Sequence, residues 1–505
     1  MTDHYLISPI LTHLFSVILL LFCWKKVRLQ KVISISSNAV IMMIAVFLWM
    51  KVWNQGILSM QGGDWQAPYG ITFVADTFSA TMILLTAVAG FAVATFSAAG
   101  ISKQRIQHGY FPIMHLLLMG LNGAFFAGDI FNLYVWFEVI IIASFVLMTL
   151  GGKKPQMEGA INYVTMNLLA SVIFLTAIAL LYGLTGTLNM ADLSLKVALV
   201  QNRSMVNVTA LLFFVGFGIK SAVFPLYFWL PSSYNTPPSA IAALFGGLLT
   251  KVGIYALIRM FTLIFPPDEF LHYLFLFVAI ATLLTGAAGA LIKRDFRKML
   301  SYLIICHIGY MVAGLGLFTK SGMNGALFYL FQDIVVKTNL FLIAGVIFKM
   351  MGTMNMDRLG GLAKSHPRLS ALMAIAFFTL IGIPPMSGFW PKISLIRESF
   401  TTDSYLLLAA LIIASFLTMY VMMKMWTDIF WKAQTQEIPQ GKNSFDELRP
   451  HHRQLLIIPI AFLCLLSLAL AFGAEQVAQV SNRITTELME PQGYIDAILK
   501  PNSKP

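Results

Sequence analysis

Long apolar runs separated by short polar segments recur along nearly the whole chain. A helix needs roughly 20 apolar residues to cross the hydrocarbon core of a bilayer, which is about 30 Å thick. We find fourteen such runs, and they occupy residues 5–24, 32–53, 72–100, 110–128, 130–150, 158–183, 206–229, 238–260, 270–292, 299–318, 322–350, 369–395, 404–431 and 454–474. The pattern predicts an all-α polytopic membrane protein with about fourteen transmembrane helices, which we number as spans in chain order.

The composition agrees with this prediction and narrows the function classes. Of the 505 residues, 58% are hydrophobic and 11% are charged, whereas soluble domains carry roughly 25% charged residues. Cys23, Cys306 and Cys464 each lie in an apolar run, so we expect neither a disulfide framework nor a cysteine-rich metal site. We also expect no cofactor, because no motif for one occurs.

The formal net charge of +12 is explained by membrane topology and not by nucleic-acid binding. Lys25, Lys26, Arg28 and Lys31 follow the first apolar run, and cytoplasmic loops carry an excess of basic residues. When that loop is placed in the cytoplasm, alternating loops put 20 of the 34 Lys and Arg residues inside and nine outside. We therefore predict a multi-pass protein with both termini outside.

The informative residues are ionisable groups that we predict at membrane depth. Each costs on the order of 3 kcal/mol at the centre of a spanning helix, so it persists only when it is paired, hydrated or used in transport. The lysines are Lys220, Lys251, Lys337, Lys392 and Lys424, the acids are Asp129, Glu138 and Asp333, and the imidazoles are His13, His115 and His307. Lys424 lies one turn from a helix end, where its stem reaches the interface, and we interpret His13 and His115 as structural.

Glu138 and Lys220 are both central in their spans, so neither side chain reaches an interface. We predict that they form an ion pair that releases a proton when it breaks, and the alternative is a static structural pair. Lys251 is also central and has no acid on its own helix.

Asp333 and Lys337 are four residues apart on one helix, an order that favours an intrahelical pair. Such a pair either takes part in transport or only lowers the cost of inserting a polar helix into the membrane. His307 is either a packing residue or a proton relay, because imidazole titrates near neutrality.

Prolines interrupt the seventh and twelfth spans. Pro225 follows Lys220, and Pro384 and Pro385 precede Lys392. Such residues free backbone groups that only protein or a hydrated cavity can satisfy. Because the two broken spans are five spans apart, we predict two five-helix units with the second inverted, a pattern typical of transporters.

The expected parts are residues 1–109 (spans 1–3), 110–260 (first repeat, spans 4–8), 270–431 (second, inverted repeat, spans 9–13), 432–453 (a cytoplasmic loop) and 454–505 (span 14 and an external tail).

Three separated stretches resemble one family in that family's own order. FNLYVWFE (131–138), GIKSAVFPLYFWLPSSYNTPPSAIAALFGGLLTKVGIYALIR (218–259) and GIPPMSGFWPK (382–392) are similar to the antiporter-like subunits shared by Mrp-type multisubunit cation/proton antiporters and respiratory complex I. Two serines and a tyrosine follow Trp-Leu-Pro at 229–231, where complex I relatives typically have Asp-Ala-His. The chain also lacks the long extension of the large A-type Mrp subunit, so the resemblance is to the D-type subunit.

The resemblance implies a fourteen-helix fold with two inverted five-helix repeats and a hydrophilic axis across the membrane. It implies a proton pathway along Glu138, Lys220, Lys251, His307, Lys337 and Lys392, to which we add Asp129 and Asp333 as supporting polar residues. It also implies a hetero-oligomeric Mrp complex, including its large A-type and its C-type subunits, in the cytoplasmic membrane of a prokaryote.

We therefore predict a proton-translocating subunit of a Na⁺/H⁺ antiporter, a transporter and not an enzyme. A hard cation prefers oxygen ligands, and the acids do not cluster in sequence, so the residues that bind sodium stay unknown. The alternative is a proton-pumping subunit of a respiratory NADH-quinone oxidoreductase or membrane-bound hydrogenase complex. A membrane-embedded enzyme is disfavoured, because the sequence has no HExxH motif and no cysteine cluster.

Overall fold

The computed structural model describes residues 4–433 and 445–500, and within them each predicted span contains a helix. Twelve of the described helices are long and apolar enough to cross a membrane, and two shorter apolar helices take the fourth and twelfth places. The predicted all-α membrane fold is confirmed. In order, the spans are His4–Phe22, Val27–Gln55, Thr77–Gly100, Tyr110–Phe126, Ile130–Thr149, Lys154–Thr185, Arg203–Ser221, Ser239–Leu263, Glu269–Ile292, Phe296–Leu317, Lys320–Met351, Pro367–Ile381, Tyr405–Trp431 and Pro450–Phe472.

The eighth, tenth and eleventh spans form the interior of the bundle. Within their apolar segments 100%, 94% and 89% of the residues are buried, against 28% in the second span. Polar side chains on these three helices must therefore find their partners inside the protein, because a buried polar group without a hydrogen bond is costly.

Matching contacts support the predicted repeat. Asp129 forms an isolated antiparallel bridge with Asn189, and Asp295 forms one with Asn355. Each aspartate caps the start of the fifth or tenth span, and each asparagine follows the sixth or eleventh span. The sixth and eleventh spans are both 32 residues long. The sixth and eleventh spans therefore correspond in length and in the bridge that follows each of them.

The predicted breaks are present in the seventh and twelfth spans. The seventh helix ends at Ser221, and a short helix, Trp229–Ser233, follows the interruption around Pro225. The twelfth ends at Ile381 and resumes as Phe389–Thr401. The eighth span adds an irregularity that the sequence analysis did not anticipate, a π-helical turn at Phe245–Leu249.

Two short strands precede the third span. Leu58–Gln61 pairs antiparallel with Thr72–Ala75, so residues 72–75 belong to a strand and the third helix begins at Thr77. The second strand is wholly buried, and a short apolar strand cannot be distinguished from helix by composition alone. We call the end of the bundle that carries this hairpin the hairpin face. We call the opposite end, where Lys25, Lys26, Arg28 and Lys31 connect the first two spans, the basic face.

The predicted external tail also has regular structure. Two helices, Ala474–Met489 and Gln492–Leu499, follow the last span. They lie at the hairpin face, where Ser59 Oγ donates a hydrogen bond to the carbonyl of Ala497 at 2.8 Å. Of the predicted loop 432–453, residues 434–444 lie outside the described residues, as do residues 501–505 of the tail.

Candidate functional site

One carboxylate, that of Asp333 on the eleventh span, connects the three interior spans. One of its oxygens lies 2.8 Å from Lys251 Nζ on the eighth span, and the other accepts a hydrogen bond from His307 Nδ1 on the tenth span at 2.8 Å. The three side chains are fully buried. Lys251 Nζ also donates to the carbonyl of Gly246, in the π-helical turn, at 2.7 Å. The turn therefore supplies a second acceptor for a buried amine.

The predicted intrahelical pair between Asp333 and Lys337 is wrong. One Asp333 oxygen forms an ion pair with Lys251 and the other a hydrogen bond with His307, both on neighbouring spans. Lys337 Nζ is buried and has no hydrogen-bond partner among the described residues. It nevertheless interacts electrostatically with Asp333, Lys251 and Lys392.

Lys392 completes this group, which we call the aspartate cluster (Lys251, His307, Asp333, Lys337 and Lys392). Its Nζ donates to the carbonyl of Ile381, where the first half of the broken twelfth span ends, at 2.9 Å. The amine lies 5.5 Å from the centre of the Tyr310 ring. The helix break therefore provides the acceptor that anchors this lysine.

The predicted ion pair between Glu138 and Lys220 does not form in the described residues. Lys220 Nζ donates to Ser171 Oγ at 3.3 Å and lies 4.7 Å from the centre of the Phe137 ring. Glu138 Oε1 is buried without a hydrogen-bond partner in the described part of the chain, although the carboxylate does act electrostatically on Lys220. The serine on the sixth span and the aromatic ring next to Glu138 take the contacts that we assigned to the acid. We call Phe137, Glu138, Ser171 and Lys220 the glutamate pocket.

The glutamate pocket adjoins the aspartate cluster through one close helix contact. The end of the seventh span lies against Gly253 on the eighth span, and a methyl group added there would come within 3.2 Å of the carbonyl carbon of Lys220. Gly253 is two residues from Lys251 on the same helix. The two sites are therefore on helices that touch at Lys220 and Gly253.

The two lysines at the helix breaks are not equivalent, although both lie on the broken spans of the two predicted units. Lys220 is on the helix that ends before Pro225, whereas Lys392 is on the helix that begins after Pro385. Each broken span thus contains a buried lysine. Lys220 precedes the interruption of its span, whereas Lys392 follows the interruption of its own.

Asp129 does not lie at membrane depth as predicted. It is the N-cap of the fifth span, where its Oδ1 accepts a hydrogen bond from the backbone N–H of Asn132 at 2.9 Å. Burial raises the pKa of Asp129 to about 6.

The two histidines that we interpreted as structural, His13 and His115, contact each other through their Nδ1 atoms at 3.0 Å.

A cavity of about 1010 Å³ opens at the basic face. Its lining includes Phe96, Ser239 and Gly345, which meet where the third, eighth and eleventh spans pack together. Gly345 is two helical turns from Lys337, a rise of about 12 Å. Between them, Thr338 Oγ1 is buried without a hydrogen-bond partner among the described residues. The cavity thus approaches the aspartate cluster from the basic face.

Sequence analysis missed a second buried ion pair, between Asp76 and Arg259. Arg259 Nη2 lies 2.5 Å from Asp76 Oδ2, and both side chains are at most 5% exposed. Arg259 is the next-to-last residue of the predicted span 238–260, so its position at a predicted helix end concealed its burial. The partners are far apart in the sequence, and only the packing of the third span on the eighth brings them together.

No cluster of three or more His, Cys, Asp and Glu side chains with metal-binding geometry occurs in residues 4–433 and 445–500. Three of the described acids, Asp333, Asp76 and Asp129, are instead bound to basic side chains or to helix N-termini. The residues that bind sodium therefore remain unassigned.

Residues 127–418, more than half of the chain, match the family model described as NADH:quinone oxidoreductase/Mrp antiporter, transmembrane. The chain belongs to this family. It is 41% identical over 499 residues to the D subunit of the Na⁺/H⁺ antiporter of Alkalihalophilus pseudofirmus, an alignment that covers 99% of this chain and all of that relative. The predicted resemblance is therefore confirmed.

Solved structures in the family have the same fold. A chain of the Mrp complex from Dietzia sp. superposes with a TM-score of 0.89 at 29% identity, covering 99% of this chain and all of that one. A chain of the membrane-bound sulfane sulfur reductase, an archaeal respiratory membrane complex, superposes with a TM-score of 0.88 at 25% identity, covering 98% and 99%. The family fold thus occurs both in an antiporter and in a respiratory complex.

Proposed function

We propose that this chain is the proton-translocating subunit of a multisubunit Na⁺/H⁺ antiporter of the Mrp type. It acts in a hetero-oligomeric complex with partners that include the large A-type and the C-type subunits. Proton movement through this chain is coupled to Na⁺ export by the assembly. The full-length similarity to the D subunit of an antiporter supports this assignment.

The excess of buried basic groups over acids in the aspartate cluster is the observation that carries the proposal. One carboxylate, Asp333, faces three lysines and a histidine, and none of these side chains is more than 5% exposed. A low-dielectric interior strongly disfavours several unpaired positive charges at once. The groups therefore share protons, and a change at one site alters the proton occupancy of its neighbours.

The route that we propose ends at the basic face, which the positive-inside rule places in the cytoplasm, because protons enter the cell in exchange for exported Na⁺. Protons leave the aspartate cluster through the cavity beside Ser239 and Gly345, with water bridging the buried hydroxyl groups. The glutamate pocket exchanges charge with the cluster through the contact at Gly253. The route uses Glu138, Lys220, Lys251, His307, Lys337 and Lys392 as proton carriers. The chain lies in the cytoplasmic membrane of a prokaryote, with both termini outside.

The experiment replaces Lys337 by Met in the assembled complex and measures Na⁺-dependent proton exchange in everted membrane vesicles. Asp333 keeps Lys251 and His307 as partners in this variant, so the substitution leaves no buried acid unpaired. We expect exchange to be lost while the complex stays assembled. The matched control is Lys424→Met near the end of the thirteenth span, which we expect to exchange normally. Full exchange by an intact Lys337→Met complex would refute the proposal.

A redox-driven complex is the second candidate, because the chain shares its fold with a respiratory complex. Purifying the native assembly and recording its absorbance separates the two functions. Flavin or iron–sulfur absorbance in stoichiometric amounts would favour the redox complex, and their absence together with copurifying Mrp-type subunits would favour the antiporter.

A further inference from the structure

Basic side chains from separate parts of the chain converge on the cavity at the basic face. They belong to the short helix Lys103–Gln107, the start of the sixth span, the start of the tenth span and the end of the eleventh. In that order, they are Arg105, Lys153, Arg297 and Lys349. The fold therefore brings four positive charges to one cavity of about 1010 Å³.

These charges are not balanced by acids in the described parts of the chain. Asp295 is the one acid among the described lining residues. It attracts Arg297 through space, but its carboxylate caps the tenth span, where it accepts a hydrogen bond from the backbone N–H of Lys298 at 3.0 Å. Four basic groups against one occupied carboxylate leave the cavity with a positive potential.

Two hydrogen-bond donors in the lining also lack a partner. Arg297 donates through Nη1 to the carbonyl of Pro237 at 3.1 Å, whereas its buried Nε has no partner among the described residues. The hydroxyl group of Ser239 has none there either, although this side chain is only 7% exposed. An unsatisfied buried donor is costly, so these two groups point to an acceptor that occupies the cavity.

The positive-inside rule explains the side of the membrane on which these charges lie, but not their convergence. Lys25 and Lys26 lie at the same face and are exposed, so water and salt screen their charges. Arg105, Arg297 and Lys349 are half-buried. Like charges repel more strongly where water is partly excluded, so the cavity is suited to an anion and not to a cation.

We propose that this cavity binds a phosphate monoester, either the headgroup of an anionic lipid or a soluble phosphate compound. A phosphate monoester carries about 1.5–2 negative charges at pH 7 and three acceptor oxygens, which suit the excess of positive charge and the two unpartnered donors. A carboxylate would balance only one of the charges. Ligand cavities commonly measure about 300–1,000 Å³, so there is room for the group to which the phosphate is attached.

A bound phosphate would also act on the proton exit. This consequence rests on the function proposed above, whereas the binding site does not. The positive potential of the cavity opposes the passage of a proton, and a bound anion offsets it. We therefore expect Na⁺-dependent exchange to become about twofold faster or more when the site is filled.

The test measures thermal unfolding of the purified complete complex in detergent, at constant ionic strength and with potassium as the only added cation. The two probes are glycerol 3-phosphate and dioctanoyl phosphatidic acid, which carry the same phosphate group without and with acyl chains. Chloride and dioctanoyl phosphatidylcholine are the controls. A ligand that binds only the folded state raises the unfolding temperature, and we expect this from a phosphate probe and from neither control. Stabilisation by both probes identifies a soluble ligand, and stabilisation by phosphatidic acid alone identifies a lipid headgroup.

A pair of double variants locates the site. Arg105→Gln with Arg297→Gln removes two charges from the cavity, and the apparent affinity for the probe should fall by about tenfold or more. Lys25→Gln with Lys26→Gln removes the same charge from the same face outside the cavity, and it should bind the probe as the native complex does.

The site is refuted if neither probe stabilises the native complex, or if both double variants lose affinity equally. Because Arg297 also holds the loop before the eighth span, Lys349→Gln is the second variant. If the arginine variant does not assemble, weaker binding by Lys349→Gln supports the site and native affinity refutes it.

The exchange assay separates the site from the function on which its effect depends. Native vesicles that bind the probe but exchange at an unchanged rate would refute the effect on the proton exit. Full exchange by Lys337→Met would refute the proposed function, whereas the unfolding measurements use no ion gradient and would still decide the binding site.

Discussion

The glutamate pocket and the aspartate cluster occupy related places in the two repeats but hold charge differently. Ser171 and Lys337 stand at the same position within the two 32-residue helices, as do Asn167 and Asp333. In the first repeat both positions are neutral, and Ser171 binds Lys220 from the next span. In the second repeat both are ionisable, and Asp333 connects three spans. At these two positions the sixth span therefore carries neutral side chains, and the eleventh span carries ionisable ones.

This difference separates stability from transport. Asp333 is the direct partner of two buried groups, so its charge is part of what holds the interior spans together. Glu138 acts on Lys220 only through space, so the proton occupancy of the pocket can change without breaking a direct contact. We expect Asp333 to respond to substitution mainly in stability and Glu138 mainly in exchange.

The largest effect is expected for Asp333→Asn. The substitution leaves Lys251 buried without a carboxylate, and breaking a buried ion pair from one side costs about 3–5 kcal/mol. Thermal unfolding of the purified complex in detergent should show this loss, together with reduced recovery of this chain.

The control for that prediction adds Lys251→Met to Asp333→Asn, which removes both charges together. Replacing a whole buried pair by uncharged groups is often neutral, so most of the stability should return although exchange does not. A single Asp333→Asn variant as stable as the native complex would contradict the role that we assign to the carboxylate.

A smaller effect is expected where the two sites meet. In Gly253→Ala, the added methyl group would lie 2.4 Å from Ser221 Oγ and 2.9 Å from the backbone nitrogen of Ser221. Backbone atoms cannot rotate away, so the seventh and eighth spans must separate, at a cost of about 1–3 kcal/mol for overpacking. Unfolding measurements should show this loss, and exchange should slow because the end of the seventh span, which carries Lys220, moves away from the eighth span.

Gly216→Ala is the matched control on the seventh span. Its added methyl group would meet the nearest atom, the carbonyl oxygen of Ala170, at 3.4 Å, an ordinary contact. We expect normal exchange and unchanged or higher stability, since alanine favours helix over glycine. Equal losses in both variants would show that the contact between the two sites has no special role.

Much of the fold follows from the sequence, because spans and breaks depend on local properties. Apolar length locates the helices, and Pro225, Pro384 and Pro385 mark the interruptions without reference to distant residues. The strand Thr72–Ala75 was hidden because a threonine and three apolar residues before a helix have the same composition as the helix itself. The π-helical turn in the eighth span leaves no recognisable pattern in sequence.

The site could be predicted only in part, because membrane depth identifies costly residues but not their partners. Lys251, His307 and Lys337 stand out in sequence since each is ionisable within an apolar run. The pairing of Lys251 with Asp333 depends on how the eighth span packs against the eleventh, and sequence spacing pointed instead to Lys337. Ser171 could not be noticed at all, because a serine within an apolar helix is ordinary. The pair of Asp76 and Arg259 was missed because both residues lie at helix ends.

The smallest effect on stability is expected for Glu138→Gln, and it sharpens the comparison most directly. Lys220 keeps its contacts with Ser171 and the Phe137 ring, and the buried Glu138 Oε1 has no hydrogen-bond partner to lose among the described residues. Stability should therefore change by less than about 1 kcal/mol, whereas exchange should be lost because a neutral amide cannot carry the charge that acts on Lys220. Glu158→Gln, at an exposed position near the start of the sixth span, is the control for exchange. A loss of stability as large as that of Asp333→Asn would mean that Glu138 is a direct structural partner of Lys220, and the two sites would then hold charge in the same way.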